Sequence, residues 1–237
     1  MPQEIDLKVI DIIQRTYNVK SFRFKPAARV EYKAGQFLQA TVLVDGKPES
    51  KYLSISSSPT EDFIEFTKKL TGSPFSNALD KMKKQDIVRL KLPMGNFNLN
   101  EQYKKIVFLS GGIGITPIRS MCKYATDKKL PVNIVLLYSN RTVKDIAFKE
   151  DFESMQAANK NLKVVHALSD EISSNCGPDA RVGRIDKDMV AKEAPDYAER
   201  LFYTCGPPAM VKAMKCIVSE GLGLGPDKIK FENFSGY

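Results

Sequence analysis

The hydrophobic pattern changes its period once, near residue 100, and that change limits the chain to two differently built parts. Up to that point apolar residues recur at every second position in short runs broken by Gly and Pro. Ile5, Leu7 and Val9 alternate with polar residues, and Phe22 and Phe24 flank Arg23. Residues 36–44, 49–56, 62–70 and 86–92 are rich in β-branched or aromatic side chains. Six short strands of this kind predict an antiparallel six-stranded β-barrel. One helix interrupts them, from about Ser76 to about Lys83, with Ala78, Leu79 and Met82 on its apolar side.

After Leu99 short apolar runs alternate with segments of helical spacing. Strands are expected at 105–109, 132–138, 162–168 and 201–204, and helices at 117–126, 146–158, 187–192 and 209–220. Alternation of β and α predicts a parallel sheet with helices on both faces. The boundary is expected at 99–104, giving domains 1–100 and 101–237. A chain of 237 residues can bury a core in each.

Composition narrows the chemistry. No apolar run reaches the roughly 20 residues of a membrane span. The polar, acidic start Met1-Pro2-Gln3-Glu4-Ile5-Asp6 is not a signal peptide, so the chain is read as cytosolic. Cys122, Cys176, Cys205 and Cys216 are too widely spaced for a zinc or iron–sulfur centre, and no disulfide framework or metal site is expected. His166 is the only histidine, so catalysis resting on a histidine base or on several His ligands is almost excluded. Chemistry carried by an organic cofactor remains. The net charge is +8, and the first hundred residues hold 16 Lys and Arg against 11 Asp and Glu. That excess suits an acidic partner or a phosphorylated ligand. No nucleic-acid motif accompanies it.

Four segments stand out. Ser110-Gly111-Gly112-Ile113-Gly114-Ile115-Thr116-Pro117 follows an apolar strand and opens a helix. Glycine lets backbone approach a pyrophosphate, and free N–H groups at a helix start favour an anion. Pro117 is placed at the first helical position. Tyr203-Thr204-Cys205-Gly206-Pro207-Pro208-Ala209-Met210 likewise ends a strand and starts a helix, so both turns lie at the carboxyl edge of the sheet. Cys205 taken alone reads as a small buried apolar residue. Lys51-Tyr52-Leu53-Ser54-Ile55-Ser56-Ser57-Ser58-Pro59 is either an exposed polar edge or a flavin site, with Leu53 as wall, Ser54 as donor near N5 and Lys51 as cation. Gly72-Ser73-Pro74-Phe75-Ser76-Asn77 is either a capped helix start or a second pyrophosphate cradle.

In this order, over nearly the whole chain, the four segments resemble the ferredoxin–NADP reductase family. The resemblance implies an FAD-binding barrel followed by an NAD(P)-binding α/β domain. Lys51, Leu53, Ser54 and Ser57 stand where the family usually has Arg-x-Tyr-Ser-x-x-Ser. Lysine thus replaces the phosphate-binding arginine and loses its bidentate fork. Leucine replaces the aromatic wall of the flavin. By the same likeness Tyr52, Lys68, Gly72, Phe75, Ser76 and Asn77 belong to the FAD site. Gly112, Gly114, Ile115, Thr116 and Pro117 match the pyrophosphate loop, and Cys205, Gly206 and Pro207 the nicotinamide end. Tyr138-Ser139-Asn140-Arg141-Thr142 resembles the adenosine end. There Arg141, Lys144 and Arg184 are either ligands of a 2′-phosphate or solvated surface charges, which leaves NADPH and NADH both open. The ending Glu232-Asn233-Phe234-Ser235-Gly236-Tyr237 offers Phe234 or Tyr237 to stack on the flavin.

The resemblance implies hydride transfer from NAD(P)H beside Cys205 to flavin N5 near Ser54, the tail aromatic, with Tyr237 counted as catalytic, moving aside. Single electrons then leave for an acidic ferredoxin or flavodoxin. The alternatives are a reductase component of an oxygenase, a reductase of free flavin or another small acceptor, and a nonenzymatic flavin-binding electron carrier.

Overall fold

The computed structural model describes residues 2–171 and 179–234. Contacts divide the chain into two compact units. Of the described residues, one holds 2–99 together with Thr116–Tyr124; the other holds Asn100–Ile115, 125–171 and 179–234.

The first unit contains β1 (Gln3–Thr16), β2 (Val19–Phe24), β3 (Phe37–Val44), β4 (Lys47–Ser54), β5 (Ile64–Lys69), α1 (Pro74–Asp80) and β6 (Ile87–Met94). They form one antiparallel sheet in the order β4-β3-β6-β1-β2-β5. A bridge between Ile55 and Phe66 brings the two edges together and curls the sheet into the expected barrel. Strand β6 shows why it forms: Val88, Leu90 and Leu92 are buried while Ile87, Arg89 and Lys91 face out. Asp45 and Gly46, both at positive φ, make the two-residue turn that sets the register of β3 against β4. Phe66 stacks between Phe22 and Phe24, with ring centroids 5.3 and 5.4 Å away. Each such ring contributes roughly 1.5–3 kcal/mol by leaving water.

Helix α1 runs Pro74–Asp80, not 76–83. Ser73 caps it by accepting from Ser76 N–H, and Pro74 takes the first position, where a missing N–H costs nothing.

The second unit is a parallel sheet of β7 (Lys105–Gly111), β8 (Asn133–Asn140), β9 (Leu162–Leu168), β10 (Ala180–Val182), β11 (Leu201–Gly206) and β12 (Ile229–Asn233). Helix α2 (Ile115–Asp127) follows β7 and contributes Thr116–Tyr124 to the first unit; the helices of the second are α3 (Lys149–Ala158), α4 (Lys187–Glu193) and α5 (Pro208–Cys216). The strand order is β10-β9-β8-β7-β11-β12. The chain runs outward from β7 through β8 and β9 to β10, then returns to β7's other side as β11. The order therefore reverses between β7 and β11, which is where an open α/β sheet leaves a crevice beyond its carboxyl ends.

Several boundaries differ from expectation. Pro117 is the third residue of α2 rather than the first, still within the turn whose N–H groups lack helical acceptors. Helix α3 begins at Lys149 because Thr142 and Asp145 close a separate capped turn and Phe148 is left-handed at φ 63°. Helix α5 ends at Cys216 and continues as a π turn, Ile217–Gly221. Strand β10 lies in a stretch read as loop. The terminal segment is a strand through Asn233, paired with Cys205 and Gly206, so its first residues are not a loose tail.

Candidate functional site

In the first unit Lys51, Tyr52, Leu53 and Ser54 close strand β4, with Leu53 opposite Leu38 and Ser54 opposite Phe37. Leu53 is half-buried against the barrel core. Tyr52 is exposed, its ring edge-on to Phe37 at 5.7 Å. Ser54 is 93% buried (7% exposed), and among the described residues its hydroxyl has no hydrogen-bond partner. Ser57 differs. Its hydroxyl accepts from Glu65 N–H at 2.9 Å and lies 3.0 Å from the Tyr32 hydroxyl, and its carbonyl accepts from Ser120 Oγ at 2.6 Å. Of the two serines, Ser54 is the one with a donor to spare.

Lys68 is buried on β5, and burial together with the charge of Lys51 holds its ammonium below the usual lysine range. Two cations that repel each other at a barrel edge would be relieved by a bound anion. Gly72 has φ 76° with open space around it. Phe75 points into the core and is fully buried. The Ser76 hydroxyl bonds to Ser73 and Thr71, and the Asn77 amide donates to Gly72 O at 3.1 Å. These two side chains are spent locally. The segment therefore has backbone, not side chains, to offer a phosphate. An unpartnered hydroxyl, a half-buried apolar wall and a lysine pair fit a flavin nucleotide.

Beneath this edge lies a polar network that the sequence reading passed over. Glu65 is fully buried and accepts from Arg15 Nη2 at 3.0 Å, Arg23 Nε at 2.8 Å and Ser56 Oγ at 2.8 Å. All of β5 from Ile64 to Lys68 is buried, so a glutamate and a lysine inside an apolar run were its visible signals.

In the second unit the ends of β7 and β11 meet. The Cys205 thiol donates to Gly114 O at 3.1 Å. A Cβ on Gly114 would lie 2.3 Å from Cys205 O, so only glycine permits this approach. Gly112 and Gly206 take φ 51° and 139°, which side chains rarely adopt. The Tyr138 hydroxyl donates to Gly112 O at 3.0 Å and fixes the loop from below. Ile115 and Thr116, both buried, open α2, whose first N–H groups have no helical acceptor. The buried hydroxyls of Ser110 and Thr204, just before the two turns, have no hydrogen-bond partner among the described residues. Pro207 precedes α5 as its cap. Glycines that admit close approach, a helix start and two orphaned hydroxyls at the reversal of strand order fit a dinucleotide.

Burial first, and the Glu232 carboxylate second, push the Cys205 thiol well above its usual range, so it is not a nucleophile. Glu232 stands opposite Cys205 on β12, and burial raises its carboxyl to about 7. Phe234 is half-buried, and its N–H donates to Gly206 O at 2.9 Å. Tyr237 lies outside the described residues.

At the end of β8 and β9, Arg141 Nε donates to Asp170 at 2.8 Å. The Ser169 hydroxyl and Arg141 hold the Asp170 carboxyl below its usual range, with Arg184 adding to them. Both arginines of the expected adenosine end thus sit near one carboxylate. Lys144 lies in the adjoining turn Val143–Asp145. Among the described residues no group of His, Cys, Asp and Glu could hold a metal ion.

Residues 6–99 match the oxidoreductase FAD-binding domain, and residues 108–215 match the oxidoreductase NAD-binding domain. The chain belongs to the ferredoxin–NADP reductase family of FAD- and NAD(P)-binding oxidoreductases. It is 30% identical over 234 residues to the glycine betaine monooxygenase reductase subunit of Pseudomonas aeruginosa strain UCBPP-PA14, covering 96% of this chain and 63% of that one. Against the flavohemoprotein of Bacillus subtilis strain 168 the identity is 28%, over 91% of this chain and 55% of the other. The chain spans about three fifths of the length of such curated relatives. In fold it is similar to the FAD/NAD-binding domain of nitric oxide dioxygenase from Vibrio cholerae, with TM-score 0.87 and 22% identity over 97% of this chain and 98% of that one. A ferredoxin NADP+ reductase from Neisseria gonorrhoeae with bound FAD and NADP gives 0.81 and 20%, covering 97% of this chain and 98% of that one. For a ferredoxin–NADP reductase relative, FAD and a nicotinamide dinucleotide are the expected ligands of the two sites just described.

Proposed function

We propose that this chain is a flavin-dependent NAD(P)H reductase that moves a hydride from NAD(P)H to FAD and passes single electrons to a separate acceptor protein. The observation that carries this reading is the pairing of Gly114 with Cys205 at the reversal of strand order, in a chain whose barrel has a buried Ser54 hydroxyl without a partner among the described residues. Bound FAD supplies the capacity to take a two-electron hydride and release electrons one at a time. The protein's part is positioning and electrostatics.

Residues 1–100 are assigned to FAD and 101–237 to the dinucleotide. Lys51 and Lys68 would neutralise the FAD phosphates, and backbone from Gly72 to Asn77 would meet the pyrophosphate. Leu53 would pack on the flavin ring while Ser54 donates to N5. Gly112, Gly114, Ile115, Thr116 and Pro117 would hold the dinucleotide pyrophosphate. Cys205, Gly206 and Pro207 would shape the nicotinamide pocket, the buried thiol acting as a small apolar wall rather than as an acid. Arg141 would meet the adenosine end, and Phe234 or Tyr237 would cover the flavin.

The positive excess of the first hundred residues supports an acidic carrier, ferredoxin or flavodoxin, as acceptor. A second reading is favoured by the relatives, several of which are reductase components of monooxygenases and dioxygenases. In that reading an oxygenase component takes the electrons. No helix among the described residues is long and apolar enough to cross a membrane, and the cytosol is the proposed location. The test is NADPH and NADH oxidation by the full chain with an artificial acceptor, and then with ferredoxin at rising ionic strength. Turnover with the artificial acceptor and a salt-sensitive rate with ferredoxin are expected. Absence of NAD(P)H oxidation would refute the reductase; a salt-independent rate with ferredoxin would refute the acidic-carrier reading alone.

A further inference from the structure

The flavin-side loop that follows β4 is held from α2. Arg119 is 97% buried (3% exposed), and its guanidinium donates to Ser56 O at 3.2 Å and to both carboxylate oxygens of Glu61, one at 2.9 Å. Glu61 in turn accepts from Ser58 N–H at 2.7 Å. The next residue, Ser120, donates to Ser57 O at 2.6 Å. From the other side, the N–H groups of Ser56 and Ser57 both point at Glu65 O, at 2.8 and 3.4 Å. Three consecutive residues thus have their backbone groups fixed by named partners, and two of those partners come from α2. Ser56, Ser57 and Ser58 are fully buried, so solvent cannot satisfy these groups and the position of the loop depends on these partners. The loop starts one residue past Ser54.

We propose that Arg119, assisted by Ser120, is a positioning residue that sets where the Ser54 hydroxyl lies toward the flavin. This rests on the reading of Ser54 as the flavin donor given above. A planar guanidinium can hold a carboxylate with two parallel bonds and reach a carbonyl with a remaining N–H. Lysine offers one charged centre in place of that fork. Arg119→Lys therefore keeps the charge and loses the geometry.

The test uses the full chain stripped of flavin and titrated with FAD, following flavin fluorescence, and then the flavin midpoint potential of the loaded protein. The variants are Arg119→Lys, Glu61→Gln, Ser120→Ala, Ser54→Ala and the double variant Ser54→Ala/Arg119→Lys. Arg119→Lys is expected to weaken FAD binding about tenfold, comparable to losing a charge-assisted hydrogen bond. It is also expected to shift the potential in the same direction as Ser54→Ala. In the Ser54→Ala background, Arg119→Lys should move the potential no further, since the group being positioned is gone. If Arg119→Lys misfolds by circular dichroism, Ser120→Ala and Glu61→Gln, combined likewise with Ser54→Ala, carry the same comparison. A full additional shift on top of Ser54→Ala, or no shift in any of the clamp variants, would overturn the proposal. If Ser54→Ala itself changes neither FAD binding nor potential, the donor reading fails instead, which separates the two outcomes.

Discussion

The Cys205 thiol donates to the Gly114 carbonyl across 3.1 Å, tying the turn after β11 to the turn that opens α2. Two separate segments of the sheet are locked into one edge. The lock depends on the absence of a side chain at residue 114, where an added Cβ would sit 2.3 Å from the Cys205 carbonyl oxygen.

Gly114→Ala should therefore open this edge. Backbone cannot yield as a flexible side chain does, and overpacking of this kind costs about 1–3 kcal/mol. Binding of NADPH or NADH, followed by flavin reduction in stopped flow, should weaken about tenfold or more, while FAD content stays at the parental level. Gly112→Ala meets only a φ of 51° and open space, so its effect should be smaller. Equal effects at the two positions would contradict the close-approach argument.

Glu232 links stability to pH. Its carboxyl sits at about 7 in the folded chain because burial disfavours the charge. Unfolded, it titrates near the ordinary value of about 4.3. Between those values the folded state binds more proton than the unfolded one, so this group's contribution falls as pH rises and is lost above 7. Glu232→Gln should accordingly gain about 1–3 kcal/mol on the parent chain between pH 5 and pH 8, after allowance for partial solvent access. Melting temperatures of both proteins at the two pH values give the comparison. A pH dependence unchanged by the substitution would show that another group is responsible.

Much of this was legible in the sequence because the long-range pattern is strong. The clean alternation of β6 and the wholly apolar cores of β7, β8 and β11 carry the architecture by themselves. What escaped was short or peripheral. Strand β10 is three residues, Ala180, Arg181 and Val182, and earns its place by pairing with His166, Ala167 and Leu168 rather than by any pattern of its own. Strand β12 sits at the sheet's edge, with Phe231 45% exposed and Lys215 lying 3.9 Å over its ring, so half its residues look like surface. In the site, likeness of motif nominates Ser54 and Ser57 together. Only the hydrogen bonds separate them, since Ser57 is held by Tyr32, Glu65 and Ser120. Glu61, Glu65 and Arg119 were out of reach because their partners lie up to 63 positions away in the chain.

Asp170 bears on the choice between nucleotides. Its carboxylate holds Arg141 and lies within the influence of Arg184, so a 2′-phosphate arriving there would compete with it. Asp170→Asn should release both arginines and raise the ratio of NADPH to NADH kcat/KM by about threefold, the size of an exposed ion pair. The gain should shrink at high salt. An unchanged ratio would mean that these arginines stay clear of the adenosine end.

On the proposed function each unit holds its own nucleotide, and a hydride passes from one to the other. The most direct measurement is an anaerobic absorbance titration of the FAD-loaded chain with NADPH and, separately, NADH. The account predicts one FAD per chain and bleaching of the flavin band by one equivalent of at least one of them. A chain that takes up no FAD, or whose flavin band both reductants leave intact, would contradict it.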